Sequence, residues 1–194
     1  MKREQKKAET RLRIKEAALS LFAELGYENA SIEQIAKQAG VAKGTFFNYF
    51  SSKEELICDL QGLFVIDQIS KLTDNPGLLI PRMRLLLFQL VHDFPLGKPL
   101  ARALFQAILG SPKALDAHNR MIGGLMEAIV PVVALGQQNG ELRRDMPAEM
   151  IARLALQTYY GALFVWSMGG REEELSEQIA ITFDLFFKGI AASS

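Results

Sequence analysis

Ser31-Ile32-Glu33-Gln34-Ile35-Ala36-Lys37-Gln38-Ala39-Gly40-Val41-Ala42-Lys43-Gly44-Thr45-Phe46-Phe47-Asn48-Tyr49-Phe50 reads as two short helices joined by a glycine turn. Ser31 and Gln34 have the spacing of a capping box, in which the hydroxyl accepts from the amide of residue 34 and the glutamine reaches back. Ile32, Ile35, Ala36 and Ala39 then form a short apolar face. Gly40 closes this helix, Val41 plugs the turn, and the next helix runs from about Ala42 to Phe50. On that helix Phe46 and Phe50 are four apart and point inward, whereas Gly44, Thr45 and Asn48 point outward with Phe47 and Tyr49 on the flanks. This is the pattern of a helix-turn-helix, whose second helix must present a small or polar face to a major groove. Gly44 costs such a helix about 1 kcal/mol relative to alanine. A groove-facing surface explains the exception, because a missing side chain permits close approach. Lys43 and Lys53 bracket the helix as phosphate-neutralising groups, and the helix starts at Ser31 and Ser52 can offer backbone amides to phosphates.

Working outward, Ile14, Ala17, Ala18, Leu21, Phe22 and Leu25 make one apolar face of a helix that Gly26 ends. Ser52 and Glu55 repeat the capping-box spacing and open a helix that runs to about Leu72. Turn-rich breaks follow at Thr73-Asp74-Asn75-Pro76-Gly77, Phe94-Pro95, Gly110-Ser111-Pro112, Asn139-Gly140, Met146-Pro147 and Gly169-Gly170. The segments between them carry helical periodicity and none shows a period-two strand pattern. The expected fold is all-α with about nine helices, two of them long, at roughly 112–138 and 147–168. Pro131 should kink the first of these, since it removes an amide donor and crowds the preceding turn. The expected organisation is a three-helix helix-turn-helix domain over residues 1–54 and a larger helical domain over 55–194.

Composition restricts the function. Residues 1–53 hold 10 Lys/Arg against 6 Asp/Glu, a net of +4, and the remainder holds 12 against 16, a net of −4. Only the first part is charged to meet a polyanion. The lone cysteine, Cys58, excludes a disulfide framework and fits a reducing cytoplasm. The charged N-terminus lacks the apolar core of a secretory signal, and the apolar run from Leu154 to Gly170 is slightly short for a membrane span. No nucleophile–base pairing, phosphate loop or metal spacing stands out, so neither catalysis, a cofactor nor a metal is expected.

The run from Ala30 to Leu56 resembles the DNA-binding signature of the TetR family of transcriptional regulators. The likeness lies in the blocks Ile35-Ala36, Ala39-Gly40-Val41, Lys43-Gly44-Thr45-Phe46 and Ser52-Lys53-Glu54-Glu55-Leu56, and extends over residues of about 8–56. It implies that Lys43, Gly44 and Thr45 begin a recognition helix, that Phe47, Asn48 and Tyr49 face DNA, that Lys53 meets a phosphate, and that Ser31 caps its helix and touches the backbone. Two positions depart from the family's habit. Phe47 stands where a tyrosine hydroxyl often bonds a phosphate, and Ala42 stands where Ser or Thr often caps the recognition helix, forgoing about 0.5–2 kcal/mol.

For the remainder, the resemblance rests on length, helix count and the pattern Gly136-Gln137-Gln138-Asn139-Gly140-Glu141-Leu142-Arg143. It implies a ligand pocket and a homodimer formed by the last two helices, hence a repressor that binds a palindromic operator in the bacterial cytoplasm and is released by a small effector. The apolar content favours a lipophilic one. Candidate pocket residues are Phe88, His92, Phe105, Met121, Tyr159 and Trp166, and Arg82 and Arg84 are available to an acidic effector. Candidate dimer residues are Leu154, Gly161 and Ala162 on one helix and Ile179, Phe183 and Phe186 on the other, where Leu175, Ile179, Phe183, Phe186 and Ile190 form a stripe. A DNA-binding activator or architectural factor without a small ligand is the alternative.

Overall fold

The computed structural model of the chain describes residues 2–27, 29–74, 78–93, 98–169 and 175–192. Nine helices lie among them: α1 (Lys2–Leu25), α2 (Ile32–Gln38), α3 (Lys43–Tyr49), α4 (Lys53–Asp74), α5 (Leu79–Asp93), α6 (Lys98–Gly110), α7 (Pro112–Gln138), α8 (Ala148–Met168) and α9 (Leu175–Ile190). The breaks read at residues 75–77, 94–95 and 170 lie outside the described residues. The two long helices fall where the periodicity placed them. Helix α7 continues through Pro131, which is exposed, so the carbonyl it leaves without a donor belongs to the wet face of the helix. By length and hydropathy α7 is the described helix that could cross a bilayer. Here it packs against α4, α6 and α8 of its own chain.

Two apolar clusters organise the fold. Ile14, Ala17, Ala18, Leu21, Ile35, Ala36, Phe46, Phe50, Leu56 and Leu60 close the N-terminal three helices. Ile69, Leu72, Leu79, Leu125, Val132, Leu163, Ile179, Phe183 and Phe187 belong to the larger one. Helix α4 supplies both, Leu56 and Leu60 to the first and Ile69 and Leu72 to the second. The two regions are therefore connected by one continuous helix.

The stretch Gly136–Arg143 acquires a physical meaning. After α7 ends, Gly140 takes φ +77°, and the Glu141 and Leu142 amides turn back to donate to the Gly136 carbonyl at 2.9 and 3.1 Å. Leu142 enters the core, fully buried. The Glu141 carboxylate accepts from the Leu79 amide at 2.5 Å, capping the start of α5. The Arg143 amide donates to the Ile190 carbonyl and ties the turn to the end of α9. A Cβ added at Gly136 would stand 2.6 Å from Leu79 Cδ2 and 2.8 Å from Leu142 Cδ1. At an open helical site, Gly→Ala stabilises by about 1 kcal/mol, but overpacking a filled core costs about 1–3 kcal/mol. The second effect dominates here. Gly136→Ala is expected to lower the urea midpoint of unfolding, and a midpoint at or above the parent's would refute the packing argument.

Candidate nucleic-acid interface

Each turn of the N-terminal unit is fixed locally. Ser31 Oγ accepts from the Gln34 amide at 3.2 Å and the Gln34 side chain accepts from the Ser31 amide at 2.8 Å, so the first capping box is complete. Gly40 takes φ +66° and its amide donates to the Lys37 carbonyl, while that of Val41 donates to Ala36. Ala42 caps α3 without a side-chain bond. The second box is only half of what the spacing suggests. Ser52 Oγ accepts from the Glu55 amide, but the Glu55 carboxylate reaches one residue further back, accepting from both the amide and the hydroxyl of Ser51.

On α3, Phe46 is fully buried and packs edge-on against Phe47 and tilted against Phe50. Lys43, Gly44, Phe47 and Asn48 are exposed, and Thr45 and Tyr49 are half-buried. A Cβ at Gly44 would meet nothing within 4 Å, so packing inside this chain does not require glycine there. Ser31, Lys43, Phe47 and Lys53 line one shallow surface concavity together with Glu33, Ser51 and Ser52. Thr45, Asn48 and Tyr49 lie outside that concavity, along α3.

Two of the cations there already have partners. The Lys43 ammonium pairs with Glu33, holding the Glu33 carboxyl below its usual range. Both groups are more than half exposed, and such pairs contribute little to stability. Releasing Lys43 from this pair therefore costs little. Lys53 is different. Its ammonium donates to the Tyr27 and Ala30 carbonyls at 2.7 and 3.0 Å and sits 4.1 Å from the centre of the Tyr27 ring. It uses two of its three donors to hold the α1–α2 turn, so in this structure it is first a staple of the fold.

Sequence reasoning missed two other ties. Lys113, at the start of α7, donates to the Phe47 carbonyl at 2.5 Å, satisfying an orphan acceptor in the last turn of α3. Asp59 of α4 pairs with Arg11 at 3.0 Å and with Lys15 at 2.5 Å, the latter as a point charge without hydrogen-bond alignment. Helix α1 is thereby fastened to α4 by charge as well as by packing. Neither pair has a short-range sequence signal, since the partners are over forty residues apart.

Residues 14–60 match the profile of the family described as bacterial regulatory proteins, tetR family. Over these residues the chain carries a TetR-type DNA-binding domain. It is 25% identical over 189 residues to the fatty acid metabolism regulator protein of Bacillus subtilis, covering 92% of this chain and 94% of that one. It is 28% identical over 159 residues to the transcriptional regulator UidR of Escherichia coli, covering 79% and 80%. Its fold resembles that of Thermus thermophilus FadR, a TetR-family repressor solved with lauroyl-CoA, with a TM-score of 0.68, 24% identity and coverage of 95% and 96%. The matched helix-turn-helix and the named relatives agree on a DNA-binding transcriptional regulator.

Within this family frame, Phe47 is the informative departure. Its ring is 40% exposed beside Ser31 and Lys43, so a para hydroxyl added there costs the fold nothing. Phe47→Tyr is expected to tighten DNA binding at least about tenfold, since a hydroxyl donating to a charged phosphate is worth about 1.5–3 kcal/mol. A neutral donor releases no counterion, so the salt dependence should not change. Anisotropy titrations of both proteins at three salt concentrations check this, and an unchanged affinity would place Phe47 off the DNA.

The remaining candidates separate into those the larger region brings together and those it does not. A central cavity of about 120 Å³ lies among α4, α5, α6, α7, α8 and α9, and Met121 and Tyr159 line it along with Gly62, Val65, Leu125 and Leu156. Phe88 is exposed, and borders an outer groove instead. Phe105 packs edge-on against Phe164, and Trp166 packs against the core with the Lys98 ammonium 5.6 Å from its ring centre. The His92 side chain lies outside the described residues. Ile179 and Phe183 are 2% and 5% exposed, so the dimer assignment fails for them: they are core of their own chain. Phe186 and Ala162 are half-buried against the same core and Leu154 is half-buried, leaving Gly161 exposed. Among the described residues, the exposed large apolar side chains of these two helices are Met150, Phe164, Val165 and Met168 on α8 and Ile181 and Leu185 on α9.

Proposed function

We propose that this chain is a ligand-released transcriptional repressor that acts in the cytoplasm as a homodimer on a palindromic operator. Ser31, Lys43, Gly44, Thr45, Phe47, Asn48 and Tyr49 contact the DNA, and Lys53 lends its remaining donor to a phosphate. One observation carries the reading. Helix α4 forms part of the cavity wall with Gly62, Val65, Ile69 and Leu72, and also completes the core of the reading head with Leu56 and Leu60. A ligand that spreads the cavity displaces the helix on which the head is mounted. Repression requires only that the ligand favour the displaced arrangement by about 1–3 kcal/mol.

The described residues of the cavity wall supply hydrocarbon, thioethers, aromatic rings and two tyrosine hydroxyls, and none of them is charged. It therefore suits an apolar effector. The name of the Bacillus subtilis relative, a fatty acid metabolism regulator, favours one with a long hydrocarbon chain. The dimer reading rests on the exposed apolar face of α8 and α9, on which Gly161, Val165 and Met168 follow helical spacing. The organisation into a reading head and an effector domain follows, with α4 shared between them.

An anisotropy titration on duplex DNA from upstream of the chain's own gene tests the whole. Binding should weaken steeply as salt rises and should be reversed by a medium-chain amphiphile. Absence of any binding at low salt would overturn the DNA reading. Binding that no hydrocarbon-chain compound reverses would overturn the effector reading.

A further inference from the structure

Among the described residues that line the central cavity none is charged, and the only polar side-chain groups are the hydroxyls of Tyr159 and Tyr160. An ionic headgroup buried there would be strongly disfavoured. An amphiphilic effector must therefore place its head outside, through a wall that the cavity shares with another opening. Two such walls lie among the described residues. Leu104 and Met121 separate it from a small cavity that contains Glu55, Asp59 and His118. The acids there are already engaged, Glu55 by Ser51 and Asp59 by Arg11 and Lys15. Leu87 and Phe183 separate it from a groove between α5 and α9, of about 120 Å³, lined also by Arg84, Val91, Ser176, Ile179 and Asp184.

The charges at this second opening favour an anion. Asp184 is contacted by Arg84 Nη2 and by Lys188 Nζ, each at 2.6 Å, so two cations share one carboxylate. Arg84 is about half exposed and lies one turn before Leu87 on the same helix, with its guanidinium 5.7 Å from the Phe187 ring centre. A guanidinium in this position can exchange one carboxylate for another, or for a phosphate, without leaving water unprotected charge behind, because Lys188 still neutralises Asp184.

We propose that the α5–α9 groove is the headgroup site for an anionic amphiphile, with Arg84 taking the head and the hydrocarbon tail passing between Leu87 and Phe183 into the central cavity. This rests on the cavity being the effector site. It adds the chemical class: a hydrocarbon chain ending in a carboxylate or a phosphate-bearing group, rather than a neutral or cationic lipophile.

The test uses the full chain and four probes of equal tail length: dodecanoate, lauroyl-CoA, dodecanol and dodecyltrimethylammonium, with binding measured by calorimetry. At least one anion should bind about 10- to 100-fold more tightly than dodecanol, the scale of one bond to a charged group. Arg84→Gln should remove that preference and leave dodecanol unchanged. Asp184→Asn, which frees Arg84 from its partner, should tighten the anion several-fold and again leave dodecanol unchanged. Dodecanoate and lauroyl-CoA both gaining would assign the head to charge alone, whereas lauroyl-CoA alone would assign it to the phosphates. Equal binding of dodecanol and the anions, a preference that survives Arg84→Gln, or tightest binding of the cationic probe would overturn the headgroup site. Dodecanol binding and DNA release would still stand as support for the cavity. Failure of all four probes to bind would sink both.

Discussion

The double variant Val165→Glu/Ile181→Glu is expected to be a folded monomer that binds operator no better than unrelated DNA. Both side chains are 61% exposed in the chain, so glutamate at either position stays in water and the fold is spared. In a symmetric dimer formed by α8 and α9 each substitution occurs twice, and four carboxylates would enter an apolar contact without partners. Each costs several kcal/mol there, more than the interface can return. A lone chain presents one recognition helix and can read only half of a two-fold site. Specific binding exceeds non-specific binding by about 10³–10⁷, and most of that factor should disappear with the dimer. Sedimentation gives the mass and anisotropy the affinity. A dimer that persists, or a monomer that retains full affinity, contradicts the assignment. The matched control is Phe183→Glu: at 5% exposure this residue belongs to the chain's own core, so that variant should fail to fold rather than dissociate.

That control marks where the sequence was legible and where it was not. The helices and turn of the reading head could be read because the signals that set them are local, whereas the ties made by Lys53, Asp59 and Lys113 are not. A capping pair three apart, a glycine after a short apolar face and two phenylalanines four apart all act within one or two turns. Glu55 was half-legible: spacing placed it opposite Ser52, but a carboxylate on a flexible stem reached Ser51. The stripe on α9 reads through Phe186 and points to a partner, whereas the buried face runs through Leu175, Ile179, Phe183, Phe187 and Ile190. Helix α9 carries two apolar faces, and the stronger one, through Ile179, Phe183 and Phe187, is claimed by the chain itself. The outward pair, Ile181 and Leu185, is interleaved with Asp184 and Lys188, so it carries no clear periodicity. The cavity was hidden for a different reason. Large aromatics such as Phe105 and Trp166 fill space, whereas a cavity is a shortfall of volume, lined here mainly by Leu, Val, Ile and Met. Residue type does not announce where packing falls short.

The second large effect follows from comparing two glycines in helices. Gly136→Ala should harm the fold because a methyl group there meets Leu79 and Leu142. Gly44→Ala should do the reverse. Nothing lies within 4 Å of its Cβ position, and Gly44 is exposed on α3. Alanine should stabilise this short helix by about 1 kcal/mol, visible as a higher urea midpoint. If a phosphate or base edge approaches the backbone at Gly44, the same methyl occupies the space the DNA needs. On the scale of a lost base-pair match, about 1–3 kcal/mol in each half-site, two half-sites give a loss of at least roughly 30-fold in operator affinity. The opposed signs make the prediction sharp. A substitution that only perturbed the fold would lower stability and affinity together, and one at an idle surface position would raise stability and leave affinity alone. A more stable protein with much weaker DNA binding is expected only if glycine is kept at position 44 for the groove. Undiminished affinity in Gly44→Ala would remove the start of α3 from the interface and shift the burden of recognition towards Asn48 and Tyr49.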